Sequence, residues 1–449
     1  MLSAKQKGFT LIESLVFLFI FALISVVFFQ TYSVGTRMII ESKNRLGATA
    51  LANQKMEIIR SIDYDAIGTT SGIPAGDLLE DEAISVNTVR YTVHTFVQYV
   101  DDSFDRKVSS SPPDTIPTDY KRVRITVAWG GLGTDQSVVI FGNFSPNGVE
   151  ASSGGGVLSI NVLNGAGVGV SGVSVHIVNS ASGINTTGAT DVTGNLTLPG
   201  APAGSQNYTI SVSKSGYYGA TTYPPYPTTA YDPTDIHASV VADLLNQKTI
   251  VMDQSSDIML TTEDPFGTAV SSIGYTVAGG RVLGRNYTSS ANVYGFSQTG
   301  TTNGSGTASY ADESPGQYTI TINNVNYEFY KLTPEDTTVN GFTALAGVAA
   351  DVTAVLLDKN IGSVKVLVEK QSDNSPLAGA SVQLTNATLL YDATVTTDQY
   401  GYAYFPTALP GLVAGTYDVA VMLSGYTNAS STVTINGVLV QETIGMVPN

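Results

Sequence analysis

The sequence predicts an α+β N-terminal part, a long helix packed on a small antiparallel sheet, followed by all-β sandwiches in tandem. Three observations carry this expectation. Phe9 to Phe29 is almost wholly apolar, an apolar stripe at helical spacing continues to about Ile62, and from Arg90 onward short alternating segments are separated by turn residues. At 449 residues the chain is too long for one core, so several domains of roughly 100 to 150 residues are expected.

The apolar run is broken only by Thr10, Glu13, Ser14 and Ser25. As a helix it would span about 31 Å, the thickness of a bilayer core. Lys5 and Lys7 precede it, so the positive-inside bias keeps the N-terminus cytoplasmic and sends the chain after Gln30 across the membrane. A cleaved secretory signal would be shorter and end in small residues, whereas this run continues through Arg37, Lys43 and Arg45 without a break. Glu13 is the odd residue, because a carboxylate in an apolar helix is costly unless something positive meets it. Further on, Ala48, Leu51, Ala52, Met56, Ile58, Ile59 and Ile62 share one side of the helical wheel, opposite Asn53, Glu57 and Arg60, with Lys55 intruding.

Lys7-Gly8-Phe9-Thr10-Leu11-Ile12-Glu13-Ser14 resembles the prepilin processing motif of type IV pilins and type II secretion pseudopilins. The resemblance implies that a membrane prepilin peptidase cuts between Gly8 and Phe9 and methylates the new Phe9 amine. It also implies that Glu13 pairs with the Phe9 amine of an adjacent subunit during assembly, which supplies the missing charge. Many pilins carry a helix-breaking proline and glycine in the run; here the first proline is Pro74 and the first glycine after Phe9 is Gly35.

Arg90 to Gln98, Lys121 to Trp129 and Val138 to Phe144 alternate as half-buried strands, and the Pro-rich stretch 109–118 reads as a loop. Lys121, Arg122 and Arg124 alternate with Val123, Ile125 and Val127 and read as the solvent face of a strand. With Asn53 to Glu57 late in the helix and a strand ending on Trp129, residues 1 to 148 or so resemble minor pilins and minor pseudopilins. Ala151 to Gly156 reads as a flexible Gly/Ser linker. The organisation expected is a leader at 1–8, a membrane-spanning half-helix at 9–30, a pilin helix and sheet at 31–148, a linker at 149–156, and sandwiches at 157–255, 256–358 and 359–449.

The distal part repeats. Ser171 to Val175 is echoed by Ala378 to Val382, Thr190-Asp191 to Gly194 by Thr397-Asp398 to Gly401, and Tyr208 to Tyr217 by Tyr417 to Tyr426. A weaker copy holds Asn303 to Gly306 and Tyr318. Asp can bond its own following backbone and Gly can take a positive φ, so Asp-x-x-Gly closes a turn without chemistry. The pattern resembles carboxypeptidase-regulatory-like or transthyretin-like modules of the immunoglobulin type, which serve as structural, spacer and binding units. In a related shaft module an acid promotes a Lys–Asn crosslink four places after the strand-opening Tyr. Here those places hold Val212, Ile322 and Val421, so no such bond is expected despite Lys365 and Lys370.

Function classes narrow accordingly. There is no cysteine, which excludes disulfides and thiol chemistry. Of the net charge of −16, residues 125 to 449 carry 23 acids against 8 bases, a poor surface for nucleic acid. His94, His176 and His237 are scattered without a partner at metal spacing, Asp63/Asp65, Asp101/Asp102 and Glu263/Asp264 read as solvated turns, and no nucleophile elbow or phosphate loop is found. No enzyme, cofactor or metal is expected. Tyr223 and Tyr226, in the Tyr- and Pro-rich stretch 217–232, are candidate ligand-contacting aromatics. The expected protein is a minor type IV pilin-like subunit whose partners are prepilin peptidase, other pilins with their assembly machinery, and the cytoplasmic membrane. A pilus-displayed adhesin with a surface ligand and a minor pseudopilin of a type II secretion system are the alternatives.

Overall fold

A computed structural model describes residues 11–104, 106–108, 110–111, 114, 116–130, 135–146 and 154–449. The chain forms two compact units. One comprises Met1–Val162, Val168–Val212 and His237–Ile250, the other Leu163–Gly167, Ser213–Ile236 and Val251–Asn449.

The first unit opens with α1 (Leu11–Arg60), about 75 Å long at 1.5 Å per residue. Its last four turns bury Ala48, Leu51, Ala52, Met56 and Ile59 on a sheet of β1 (Asp81–Val86), β2 (Val89–Val100), β3 (Tyr120–Gly130) and β4 (Asp135–Phe144), ordered as in the chain and antiparallel throughout. The expected stripe holds except at Ile58, which is exposed. Lys55, the intruder, pairs its ammonium with Glu82 of β1 at 2.7 Å. No local pattern announces β1, whose charged residues and half-exposed alternation mark an edge strand. The described residues of 109–118 lie outside any strand, as expected of a loop.

Lys121 departs from expectation. It is 2% exposed, donates from Nζ to the Tyr64 carbonyl at 2.7 Å, and sits 4.6 Å from the centre of the Tyr64 ring. Strand parity explains this, since 121 shares its face with 123, 125 and 127, while Arg122 and Arg124 point the other way. Burial pulls the Lys121 amine below the ordinary lysine range. Lys121 thus fastens the segment after α1 to the sheet, and the expected basic surface cluster is reduced to two arginines.

The first sandwich has β5 (Gly156–Leu163), β6 (Ser174–Asn179), β7 (Ile184–Ala189), β8 (Asn195–Ala201) and β9 (Gly204–Ser213) and, after the short β10 (Ala220–Thr221) and β11 (Asp232–Pro233) of the second unit, β12 (Ala238–Val240) and β13 (Leu245–Val251). Strands β13-β5-β8 form one sheet, and β9-β6-β7 with β12 the other. Residues 147–153, most of the expected linker, lie outside the described residues. At its end a Cβ on Gly155 would fall 2.5 Å from the Ala201 carbonyl oxygen and one on Gly156 2.2 Å from that of Val241. These two glycines are packed, not free.

In the second unit β14 (Ser256–Glu263), β15 (Gly274–Arg285), β16 (Asn292–Thr301), β17 (Thr307–Glu313), β18 (Gly316–Ile322), β19 (Tyr327–Thr333), β20 (Gly341–Ala344) and β21 (Ala350–Asp358) make the second sandwich. Its sheets β17-β14-β21-β19 and β11-β15-β18-β20, the latter with β16 beside β15, enclose Leu260, Val277, Tyr318 and Leu356. The third has β22 (Ser363–Lys370), β23 (Ser381–Asn386), β24 (Tyr391–Thr396), β25 (Tyr402–Phe405), β26 (Gly415–Met422), β27 (Ala429–Ile435) and β28 (Leu439–Met446). Its sheets β25-β22-β28 and β24-β23-β26-β27 close on Val366, Leu384, Phe405 and Tyr417. The sheets of these two sandwiches are mixed: β14 pairs with β21, and β22 with β28, in parallel.

The sequence repeat is a repeat of hydrogen bonds. Asp191, Asn303 and Asp398 each accept two backbone N–H groups from the residues two and four places on. Val162, Thr262 and Val368 each donate their N–H at 2.8 Å to the carbonyl of the turn glycine, Gly194, Gly306 and Gly401 respectively. Tyr208, Tyr318 and Tyr417 are fully buried, and their hydroxyls donate to the carbonyls of Pro202, Ser314 and Val413. Burial pushes the Tyr318 hydroxyl up to about 12.

Buried Thr397 donates to the Leu377 carbonyl at 2.6 Å and accepts the Ala380 N–H at 2.9 Å, as Thr190 does with Val170 and Val173. Thr397→Val strands both backbone groups, so it is expected to cost about 1–3 kcal/mol, read as faster amide exchange across β23 and β24. Unchanged exchange would show the clasp to be idle.

Candidate functional site

The N-terminal half of α1 is an extended apolar surface that none of the described residues covers. Leu15, Val16, Phe17, Leu18, Phe19, Ile20, Phe21 and the apolar residues on to Ile40 are all at least half exposed. Among the described residues this is the helix long and apolar enough to cross a membrane. Its hydroxyls bond within the helix: Ser25 donates to the Phe21 carbonyl at 2.7 Å, and Thr31 and Thr36 to those of Val27 and Tyr32 at 2.9 Å. No donor of these side chains is left for water, which suits an apolar surrounding. Gly8 and Phe9 lie outside the described residues, and Glu13 falls in the first turn of α1.

In the same unit the outer face of the β1–β4 sheet meets the first sandwich. Phe96 is buried there and Arg124 lies over its ring at 5.3 Å. The backbone of Thr187 in β7 is held at both ends: Glu80 accepts its N–H at 2.6 Å, and His94 Nε2 lies 3.2 Å from its carbonyl oxygen. His94 Nδ1 is 2.9 Å from Asp81. Glu80, Asp81 and His94 offer ligand atoms within 4.8 Å of one another, a grouping the sequence reading missed because it rests on the β1–β2 register. Asp81 and His94 are cross-strand partners there.

Burial raises the Glu80 carboxyl above the ordinary range, partly offset by the Thr187 N–H. A carboxyl raised in the folded state favours folding below its unfolded value and loses that contribution as pH climbs through the folded one. Glu80→Gln keeps an acceptor for Thr187 and removes the buried charge. Thermal melts are expected to show the variant more stable than the parent at pH 8 and not at pH 4. A variant less stable at pH 8 would contradict this.

Of the other histidines, His176 Nε2 lies 2.7 Å from Asn185 Oδ1, and His237 Nε2 3.2 Å from Thr209 Oγ1. Asp264 is a turn acceptor, bonding the Phe266 and Thr268 N–H groups. The two candidate tyrosines diverge. Tyr223 packs edge-on against Tyr231 at 6.0 Å between ring centroids, whereas Tyr226 stacks on Tyr287 at 4.2 Å. Tyr287 carried no local signal in the sequence, since its partner lies in a distant segment.

Residues 3–29 match the prokaryotic N-terminal methylation motif. No curated protein matches the chain. Among solved structures the chain is similar to the Bacillus anthracis TIE protein, at 13% identity and a TM-score of 0.20 over 82% of this chain and 73% of that one. It is also similar to a Streptococcal ancillary pilin, at 12% identity and a TM-score of 0.19 over 66% and 99%. The shaft pilin SpaA from Lactobacillus rhamnosus GG gives 14% identity and a TM-score of 0.17 over 44% and 98%. TM-scores this low decide nothing about this chain. The methylation motif at 3–29 and the long, bare apolar helix in which it ends give the chain a prepilin-type N-terminus.

Proposed function

We propose that the chain is a minor type IV pilin-like subunit, a structural protein with no catalytic role. Prepilin peptidase cleaves it between Gly8 and Phe9 and methylates the Phe9 amine. Residues 9–30 hold it in the cytoplasmic membrane with everything beyond them outside. On assembly with other pilins, Glu13 meets the Phe9 amine of a neighbouring subunit. The observation that carries this reading is the match at 3–29 running into an apolar helix that nothing in its own fold covers.

The domain scheme that goes with it has a leader (1–8), a membrane half-helix (9–30), a pilin helix and sheet (31–148), a linker (149–156) and sandwiches at 157–255, 256–358 and 359–449. Separate cores around Ile125, Val277 and Val382 support the pilin sheet and the second and third sandwiches. The sandwiches add roughly 300 residues, too bulky to repeat at each position of a close-packed filament. Sparse or tip placement follows. Immunogold labelling against residues 256–449 is expected to give isolated or terminal particles; regular labelling along the whole shaft would overturn the minor role.

A further inference from the structure

Tyr226 and Tyr287 form an exposed aromatic stack assembled from two segments distant in sequence. Their rings are 2° from parallel with centroids 4.2 Å apart, yet the residues remain 43% and 65% exposed. A stack formed for stability alone would bury more of its area, because the gain scales with apolar surface removed from water.

Both rings sit on turns that are fixed in advance. Tyr287 tips the β15–β16 hairpin, where Asn286 donates its N–H to the Ala291 carbonyl at 2.8 Å and its side-chain oxygen accepts the Thr288 and Ser289 N–H groups at 3.0 Å. Tyr226 lies in a strap whose Thr228 and Thr229 N–H groups return to the Pro225 carbonyl. That strap is tied to β15 by the β11 pairing, by the Thr234 N–H bond to the Leu283 carbonyl, and by the ion pair of Asp235 with Arg281 at 2.7 Å. The stretch 217–232 is therefore a folded strap and not a loose crossing.

The chemistry around the stack is uncharged and hydroxyl-rich. Thr228, Asn286, Thr288 and Ser289 are exposed beside it in sequence. Segments 217–236 and 281–295 carry only Asp232, Asp235, Arg281 and Arg285, and Asp235 and Arg281 neutralise each other. A protein partner would bury about 800 Å² per side, far more than two part-exposed rings offer, and an anionic polymer would require a cluster of basic groups. A pyranose ring fits better: its C–H face lies flat on an aromatic face, and its hydroxyls reach neighbouring hydroxyl and amide groups.

We propose that Tyr226 and Tyr287 form a binding platform for a neutral polysaccharide. This deepens the reading of the sandwiches as displayed modules and rests on it only for where the platform is presented.

The test is affinity electrophoresis of the full chain in a polyoxyethylene detergent, which lacks a sugar headgroup, through native gels containing laminarin, xylan, dextran or no polymer. Retardation by at least one polymer is expected. Tyr226→Ala and Tyr287→Ala should each weaken it at least tenfold, while Tyr287→Trp and Tyr287→Phe retain it. Amide exchange across β15 and β16 identifies any alanine variant that loses its local fold, and the ring-retaining variants then decide. No retardation by any polymer, undiminished retardation of a well-folded Tyr287→Ala, or loss with Tyr287→Trp and Tyr287→Phe alike would overturn the proposal. An unprocessed chain would still be retarded, so failure of the pilin reading and failure of the platform are separate outcomes.

Discussion

Glu13→Val is expected to leave a chain that is cleaved, methylated and held in the membrane, yet depleted at least tenfold from sheared filaments. A carboxylate in an apolar helix costs several kcal/mol unless it is paired, so valine should make the membrane-held state more comfortable. In the proposed assembly, what valine removes is the attraction to a neighbouring Phe9 amine, which acts only between subunits. The helix itself should tolerate the change, since Ser25, Thr31 and Thr36 bond within it and its apolar flank is continuous to Ile40. Quantitative immunoblots of membrane and filament fractions test this. Equal incorporation of parent and variant would remove Glu13 from the account.

Two glycines of the third sandwich should respond very differently to the same substitution. Gly379 and Gly401 have φ of +77° and +78°, so alanine is strained at either. Around Gly379 an added Cβ meets nothing within 4 Å, whereas at Gly401 it would fall 2.6 Å from the Val368 carbonyl oxygen and 3.1 Å from Pro376 Cβ. Gly379→Ala is therefore expected to cost about 1 kcal/mol and Gly401→Ala on the order of 3–4 kcal/mol. Hydrogen exchange of β22 and β23 reports the difference, roughly a hundredfold in protection factor between the variants if exchange follows opening of this sandwich. Similar losses for both would show that the turn requires only its backbone angle.

The same crowding recurs at Gly194 against the Val162 carbonyl and at Gly306 against that of Thr262. This refines the turn motif read from the sequence. Asp-x-x-Gly was legible because its acceptor and glycine act within four residues of each other. The close approach to the first strand was not legible, because that strand lies 32 to 44 residues earlier.

The same division runs through the molecule. The helix, the three longest strands of the first sheet and the repeated Thr, Asp, Gly and Tyr positions could be read from local periodicity and turn chemistry. Strand β1 could not, since Asp81 to Val86 is too polar to stand out, and the pairing of His94 with Asp81 was lost with it. Lys121 is a different case: its parity with Val123 was visible, but grouping it with Arg122 by charge hid its burial. The motif that holds Gly8, Phe9 and Glu13, matched over 3–29, was legible because it is contiguous. The partnership of Tyr226 with Tyr287 depends on a strap and a hairpin meeting in space, which no local pattern records.

The central claim is that this chain is processed and used as a prepilin. Intact mass of the mature protein tests it most directly. The account predicts a chain beginning at N-methylated Phe9, and a chain retaining Met1 to Gly8 would contradict it.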